Sequence, residues 1–375
     1  MLIHLKKTQI KGSESMAENS GRLRRWRSLI PLLTLAVFPV LAAEQPAGPL
    51  PNPISTAGAP WGFDGFVVNT PIDDGWSSLA KDSHYAELTK VFAGGISASA
   101  IVDAHRVDND VPGDTELLAL LKATETQPPD PTSMKSAGYS AQSSAVDGAS
   151  CARFLAKFED RRPGYPAPGM LIVRGLSCVR PQVPDMVITL RYAQRSTATE
   201  LTPESNKVID AFLSSLRLSN SDPAVLRRAR MAVGQTPQES IDLLTPQAER
   251  GDGEAALLLG SMYLYGSGVP RDYAPARKWL GVAAKDGHSD ALFNLGAIYD
   301  KALGVDRDTQ QAIRWFTLAA DQRDPDAQLN IALFYINGDG VPKDIPAAEQ
   351  WLRRSAGNGN PRAQRIIAEG RYKQQ

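Results

Sequence analysis

Residues 254–361 repeat their pattern of apolar and polar positions at a fixed interval of 36. Ala255, Ala291, Ala327 and Ala363 share one register, and so do Tyr263, Tyr299 and Tyr335. Val269, Val305 and Val341 share another, as do Asp272, Asp308 and Asp344, and Trp279, Trp315 and Trp351. Within each interval apolar residues follow helical spacing, stop at a short polar link, and resume. The first unit therefore predicts a helix over 255–265, a link over 266–271, and a second helix from 272 to about 285. Paired helices at one strict period stack into a solenoid. The units are expected at 254–289, 290–325 and 326–361, inside a solenoid spanning 221–375.

Asp272, Asp308 and Asp344 stand where a side chain can accept from the free amides of the second helix. Gly287 stands where a glycine ends it. The identical columns define the expected repeat core: Ala255, Tyr263, Trp279, Ala291, Tyr299, Trp315, Ala327, Tyr335 and Trp351. Gly260, Gly296 and Ala332 keep one position of the first helix small, so that a neighbouring helix can approach and pack its Trp and Tyr there.

The pattern before the repeats is different. Residues 44–60 are rich in Pro, Gly and Ala and read as a linker. From 61 to 220 short β-branched runs alternate with helical spacing. Strands are expected at 66–69, 96–107, 151–158, 170–178 and 186–194, and helices at 85–92, 115–122 and 208–218. Residues 127–150 are polar, carry Pro128, Pro129 and Pro131, and predict a loop. The order implies an α+β domain: an antiparallel sheet with packing helices. It resembles the small α+β sandwich domains of exported bacterial proteins.

The N-terminal 43 residues are of another kind. Arg22, Arg24, Arg25 and Arg27 precede an apolar run over 29–42 that ends in Ala42 and Ala43. A basic start, a short apolar run and small residues make a secretory signal peptide over 1–43, with Met16 an alternative start. The run falls short of the roughly 20 residues that span a bilayer, so no membrane span is expected in the mature chain. The leader also changes the charge balance. The whole chain has 41 basic and 41 acidic residues, but the leader holds seven basic and two acidic, so the remainder carries −5. No basic tract is left to recruit nucleic acid.

Candidate chemistry is sparse. The two cysteines, Cys151 and Cys178, stand at the start of one expected strand and the end of another. In an exported chain this even count favours a disulfide; two buried free thiols are the alternative. His4, His84, His105 and His288 are the only histidines. Asp103, Asp108 and Asp110 around His105 invite a metal or acid–base reading, but the spacing fits no ligand pattern, and an exposed strand end is favoured. His288 reads as a polar turn residue. Ser78 and Lys81 match S-x-x-K without the companion K-T-G and S-D-N motifs of penicillin-recognising enzymes. No motif for a cofactor, metal or nucleotide is present, and no enzyme activity is expected.

The run from Ala256 through Gly260, Tyr263, Gly266, Pro270, Asp272 and Trp279 to Gly287 resembles the Sel-one-like repeat (SLR), a relative of the tetratricopeptide repeat. The likeness covers 254–361, and flanking half-units at 238–250 and 362–370 look like caps. Ala302 and Asp306 depart from the family's Gly and Pro in the middle unit, and the repeats lack the cysteines that stitch some members together. The resemblance implies a scaffold that binds another envelope or periplasmic protein. Partner contacts are then expected from first-helix positions that vary between units: Leu258, Asn294 and Asn330; Ser261, Ala297 and Leu333; Leu264, Asp300 and Ile336. The alternatives are a hydrolase or cell-wall-active enzyme in the 61–220 segment, or a small-ligand site there.

Overall fold

The structure is a computed structural model. It describes residues 57–370 except 64–65, 83, 92–96, 108–110, 112, 162–168, 180–182, 184, 197 and 220–221, together with Asn52–Pro53 and Tyr372. The leader lies outside the described residues, as do Asp108 and Asp110.

The strands are β1 (Asn52–Pro53), β2 (Pro60–Phe63), β3 (Phe66–Asn69), β4 (Ser77–Lys81), β5 (Tyr85–Val91), β6 (Ser97–Arg106), β7 (Met134–Val146), β8 (Ala149–Asp160), β9 (Gly169–Val179), β10 (Met186–Ser196) and β11 (Arg217–Leu218). Helix α1 (Asp114–Glu125) and helix α2 (Pro203–Leu213) interrupt them. One antiparallel sheet has the order β1-β4-β5-β6-β10-β9-β8-β7, and a small second sheet has the order β11-β3-β2. Alternation sets the two faces of the large sheet. Leu171, Val173, Phe154 and Phe158 pack under α1 through Leu117 and Leu121. Leu176, Ile188, Leu190, Tyr192 and Leu88 face Ile209, Phe212 and Leu213 of α2, and Trp61, Phe66 and Val68 of the small sheet. Cys151 and Cys178 are opposed residues of β8 and β9 and form a disulfide on this second face.

Three expectations need correction. Residues 85–91 are strand β5, not a helix. Ala86 and Leu88 are buried while Tyr85, Glu87 and Thr89 are half-buried, a period of two that the apolar spacing had masked. Residues 127–133 are irregular, but 134–150 are no loop, because β7 and the start of β8 run through them. Being an edge strand, β7 lies open to solvent and carries small polar residues that give no apolar signal. Asp147 and Gly148 join it to β8 with φ of +50° and +78°, as a two-residue hairpin turn with both centres left-handed requires. Finally, α2 starts at Pro203 behind the cap Thr202 and ends at Leu213, so Leu216 is buried from the following turn rather than from the helix.

From residue 223 onward the chain is helical: α3 (Pro223–Ala232), α4 (Pro237–Glu249), α5 (Gly253–Tyr265), α6 (Tyr273–Lys285), α7 (Ser289–Asp300), α8 (Thr309–Asp321), α9 (Pro325–Asn337), α10 (Ile345–Gly357) and α11 (Pro361–Glu369). Each packs on the next, as in a stacked array. No described helix is long and apolar enough to cross a membrane.

Candidate functional site

The array is held by its repeated columns. The side chains of Asp272, Asp308 and Asp344 accept from Ala274, Gln311 and Ala347 amides at the starts of α6, α8 and α10. Ala255, Ala291 and Ala327 are fully buried. Trp279 is buried, but Trp315, Trp351 and the three Tyr of the core column are only partly so, at the edge of the cluster. The small positions of the first helix do not face those Trp residues. A Cβ on Gly260 would lie 2.7 Å from Leu280, and one on Gly296 would lie 2.8 Å from Phe316. The residue after each Trp is thus the one that fills the gap.

The expected partner groove is not open. Leu258, Asn294, Asn330, Ser261, Ala297, Leu333, Leu264, Asp300 and Ile336 are all buried. The reason is packing on several sides: α5, for example, touches α4, α6 and α7. Two units later, Leu333 and Ile336 are covered by the C-terminal Tyr372 cluster. Several polar groups are enclosed as a result. Asn294 Oδ1 accepts from the Tyr265 hydroxyl at 2.8 Å, and Asp300 pairs with Arg307 at 3.0 Å. The Nδ2 of Asn294, the Nδ2 of Asn330 and the Oγ of Ser261 have no hydrogen-bond partner among the described residues.

The end of the array where each second helix turns into the next first helix is occupied by the sheet region. Gly62 N–H donates to Gly287 O at 3.1 Å, and Arg323 Nη1 donates to Ser78 O at 2.7 Å. Arg217 pairs with Asp286 at 3.3 Å, and Ser219 donates to Asp252 at 2.9 Å. A pocket of about 260 Å³ opens along this seam, lined by Phe63, Phe66, Arg217, Arg250, Asp252 and Asp286 among others. His288 sits at its edge, its ring close against Gly62 and Gly253. Burial first, and then the Lys81 ammonium, push its imidazole down to about 4. Desolvation raises the Asp286 carboxyl.

The sequence model of the Sel1 repeat matches residues 253–288, 289–324 and 325–360. Residues 253–360 of the helical array are three Sel1 repeats. The crystal structure of a Sel1 repeat protein from Oxalobacter formigenes is 33% identical over 41% of this chain and 66% of its own, with a TM-score of 0.38. A protective antigen of uropathogenic Escherichia coli with an SLR fold, c5321, is 29% identical over 46% of this chain and 37% of its own, with a TM-score of 0.38. The Helicobacter pylori cysteine rich protein B is 18% identical over 39% of this chain and 99% of its own, with a TM-score of 0.29. The chain thus spans just under two thirds of the first of these proteins and little more than a third of the second. No match was found among curated proteins.

Outside the Sel1 repeats, Ser78, Lys81 and His105 lie in β4 and β6, and the Ser78 hydroxyl has no hydrogen-bond partner among the described residues. Ser78 is fully buried in β4, and Lys81 donates to Gly62 O at 3.2 Å with its ammonium 4.7 Å from the Phe63 ring centre. This strand places Lys81 in the seam between β4 and β2. His105 Nδ1 lies 3.1 Å from Asp103 at the exposed end of β6. Behind it is a group that sequence reasoning missed. Arg191 is largely buried on β10, its side chain 12% exposed, with Nη2 2.5 Å from Glu125 Oε1 at the end of α1 and Nη1 3.8 Å from Asp103. Tyr85 donates to Glu87 at 3.0 Å on the neighbouring strand, and desolvation raises both groups. Their signal was the period of two in β5, which puts Tyr85 and Glu87 on one face. No group of three or more candidate metal ligands occurs among the described residues.

Proposed function

We propose that this protein is an exported, non-enzymatic scaffold that holds an envelope or periplasmic protein against its Sel1 repeats. The repeat array is the observation that carries the reading, since stacked helical repeats present extended surfaces for partners. The disulfide supports export, because such bonds persist in oxidising compartments. The leader pattern supports it independently.

The partner surface is the end of the array opposite the seam, where each first helix links to its second. Arg271, Lys301, Arg307 and Lys343 are exposed there. Adjacent links are tied together: Arg307 bonds both Asp300 and Asp339, which presents them as one firm surface. The test is photo-crosslinking in cells with a benzophenone amino acid at Arg271, Lys301 or Lys343. One envelope protein should be trapped at all three. Export is tested by mass spectrometry of the purified chain, which should begin near residue 43 or 44. Crosslinks spread over unrelated proteins would refute the scaffold, and an intact leader would refute export.

A further inference from the structure

The two edges of the large sheet are finished differently. One edge is β1, two residues long and containing Pro53. Short strands and proline are devices that blunt an edge. The other edge is β7, thirteen residues long and, among the described residues, paired only with β8. Its protection is confined to its start, where Lys135 and a bulge between Ser136 and Gly138 lie. From Tyr139 to Val146 it carries no charge and no proline. Those eight residues offer about 27 Å of regular strand with one row of backbone donors and acceptors unpaired.

A groove of about 500 Å³ adjoins this edge on the α2 face of the sheet. Its floor is Leu155 and Ile172, and Arg153, Lys157 and Arg174 line it. Arg174 is bonded to Asn206 at 2.7 Å and Asp210 at 2.6 Å. Arg153 reaches the Ser214 hydroxyl at 3.4 Å, neither Arg153 nor Lys157 forms an ion pair among the described residues, and the one carboxylate lining the groove beside these two cations is Glu200. Of the two β7 residues opposite these cations, Gly138 leaves room past the edge. Gly138 opposes Lys157, and a Cβ there would meet nothing within 4 Å; Gln142 opposes Arg153 and Ser140 opposes Leu155.

We infer that the outer edge of β7 takes an extended acidic segment of a partner protein as a ninth strand. Backbone pairing holds the segment, as in other strand additions. Its alternate side chains lie on the groove face, about 7 Å apart. Arg153 and Lys157 are four residues apart on β8 with Leu155 between them. The matching segment therefore reads acidic-x-apolar-x-acidic. This docking surface is separate from the Sel1 array and does not depend on the array's partner.

The probe is a fluorescein-labelled peptide, Thr-Glu-Thr-Leu-Thr-Glu-Thr, titrated with the full chain and read by anisotropy. Saturable binding is expected, with hydrogen-exchange protection gained over residues 139–146. Affinity should fall at least tenfold with Arg153→Glu/Lys157→Glu, both half-buried at the groove, and an unchanged melting temperature checks that the fold is intact. It should also fall at least tenfold when alternate peptide nitrogens are methylated, which removes backbone pairing but keeps the charges. Absence of binding at millimolar peptide overturns the inference. So does equal binding of the Lys-for-Glu or methylated peptide. Protection of β7 that rises with protein concentration alone would assign the edge to a second copy instead.

Discussion

Gly287 and Gly359 occupy the same position of the repeat, two units apart, with φ of +69° and +93°. A Cβ on Gly359 would meet nothing within 4 Å, whereas one on Gly287 would lie 1.9 Å from the Pro60 carbonyl oxygen and 3.0 Å from Trp61 Cα. Gly359→Ala therefore adds only left-handed backbone strain, about 1 kcal/mol. Gly287→Ala adds the same strain and a collision with main-chain atoms that have no rotamer to change. Relief means lifting β2 off the turn, which breaks the Gly62 N–H bond to Gly287 O. A buried amide left without an acceptor costs about 1–3 kcal/mol. The total is about 3 kcal/mol for Gly287→Ala, and the difference between the two variants is about 2 kcal/mol. Urea unfolding followed by tryptophan fluorescence gives both values. Hydrogen exchange at Gly62 should speed up in Gly287→Ala alone. Equal losses in the two variants, or unchanged protection at Gly62, would refute docking of β2 on this turn.

Other parts of the molecule give sharper single outcomes. The unfolded chain takes up a proton on His288 near its ordinary 6.5, and the folded chain refuses it down to about 4. Stability from this group is therefore full above pH 6.5 and lost as pH falls towards 4, by at most about 3 kcal/mol. His288→Asn, which installs the residue the last unit uses here, should flatten that part of the stability–pH curve. Changing Cys151 and Cys178 to Ser opens a link across 27 residues and should cost about 3 kcal/mol, read from the urea midpoint. Asn330→Leu removes an enclosed amide nitrogen without a partner and adds apolar contact, so thermal melting should rise by about 1 kcal/mol of stability; a fall would show that the nitrogen is satisfied. Glu125→Ala leaves the largely buried Arg191 guanidinium only its longer contact with Asp103 and should cost about 2 kcal/mol in the same assay, while His105→Ala, at an exposed strand end, should change little.

The array was legible because its columns are written three times, so a helix, its cap and its neighbour could each be checked against two copies. The fate of its first helices was not. Asn294, Asn330 and Asp300 read as partner contacts because their positions vary between units, yet packing against several neighbours encloses them. Amphipathicity assigns a polar residue outward, and a helix packed on several sides has no outside to give it. In the sheet, strands with buried β-branched residues were visible, such as β6, β9 and β10. The exposed strand β7 was invisible by apolar pattern, although Asp147-Gly148 is a hairpin signal that marks its end. The seam could not be read at all, since it joins residues such as Ser78 and Arg323, 245 positions apart.

Yet the seam had left a mark on the repeats. Positions 251, 287, 323 and 359 read Gly, Gly, Arg, Gly, and all four are left-handed, Arg323 at φ +65°. Holding a non-glycine residue there costs about 1–2 kcal/mol. Arg323 is also the residue whose guanidinium crosses to Ser78 O. One position on, 252, 288, 324 and 360 read Asp, His, Asp and Asn. Asp252, Asp324 and Asn360 cap their helices, while His288 makes no side-chain cap bond and faces Gly62. At the next position Pro325 and Pro361 begin their helices, but Gly253 stands in the first unit, where a Cβ would lie 2.7 Å from Asp286 and 2.8 Å from His288. Two adjacent columns thus break their pattern where the sheet region docks, at Arg323 and His288. A repeat that had to satisfy only its neighbours would have kept Gly at 323 and a capping side chain at 288. The exchange of Arg323 for Gly therefore pulls two ways: it releases the backbone strain and removes the bond to Ser78. Arg323→Ala removes the bond and keeps the strain, so it should be less stable than Arg323→Gly by about 1 kcal/mol. If the two variants unfold at the same urea concentration, the left-handed turn at 323 carries no strain and the broken column has another origin.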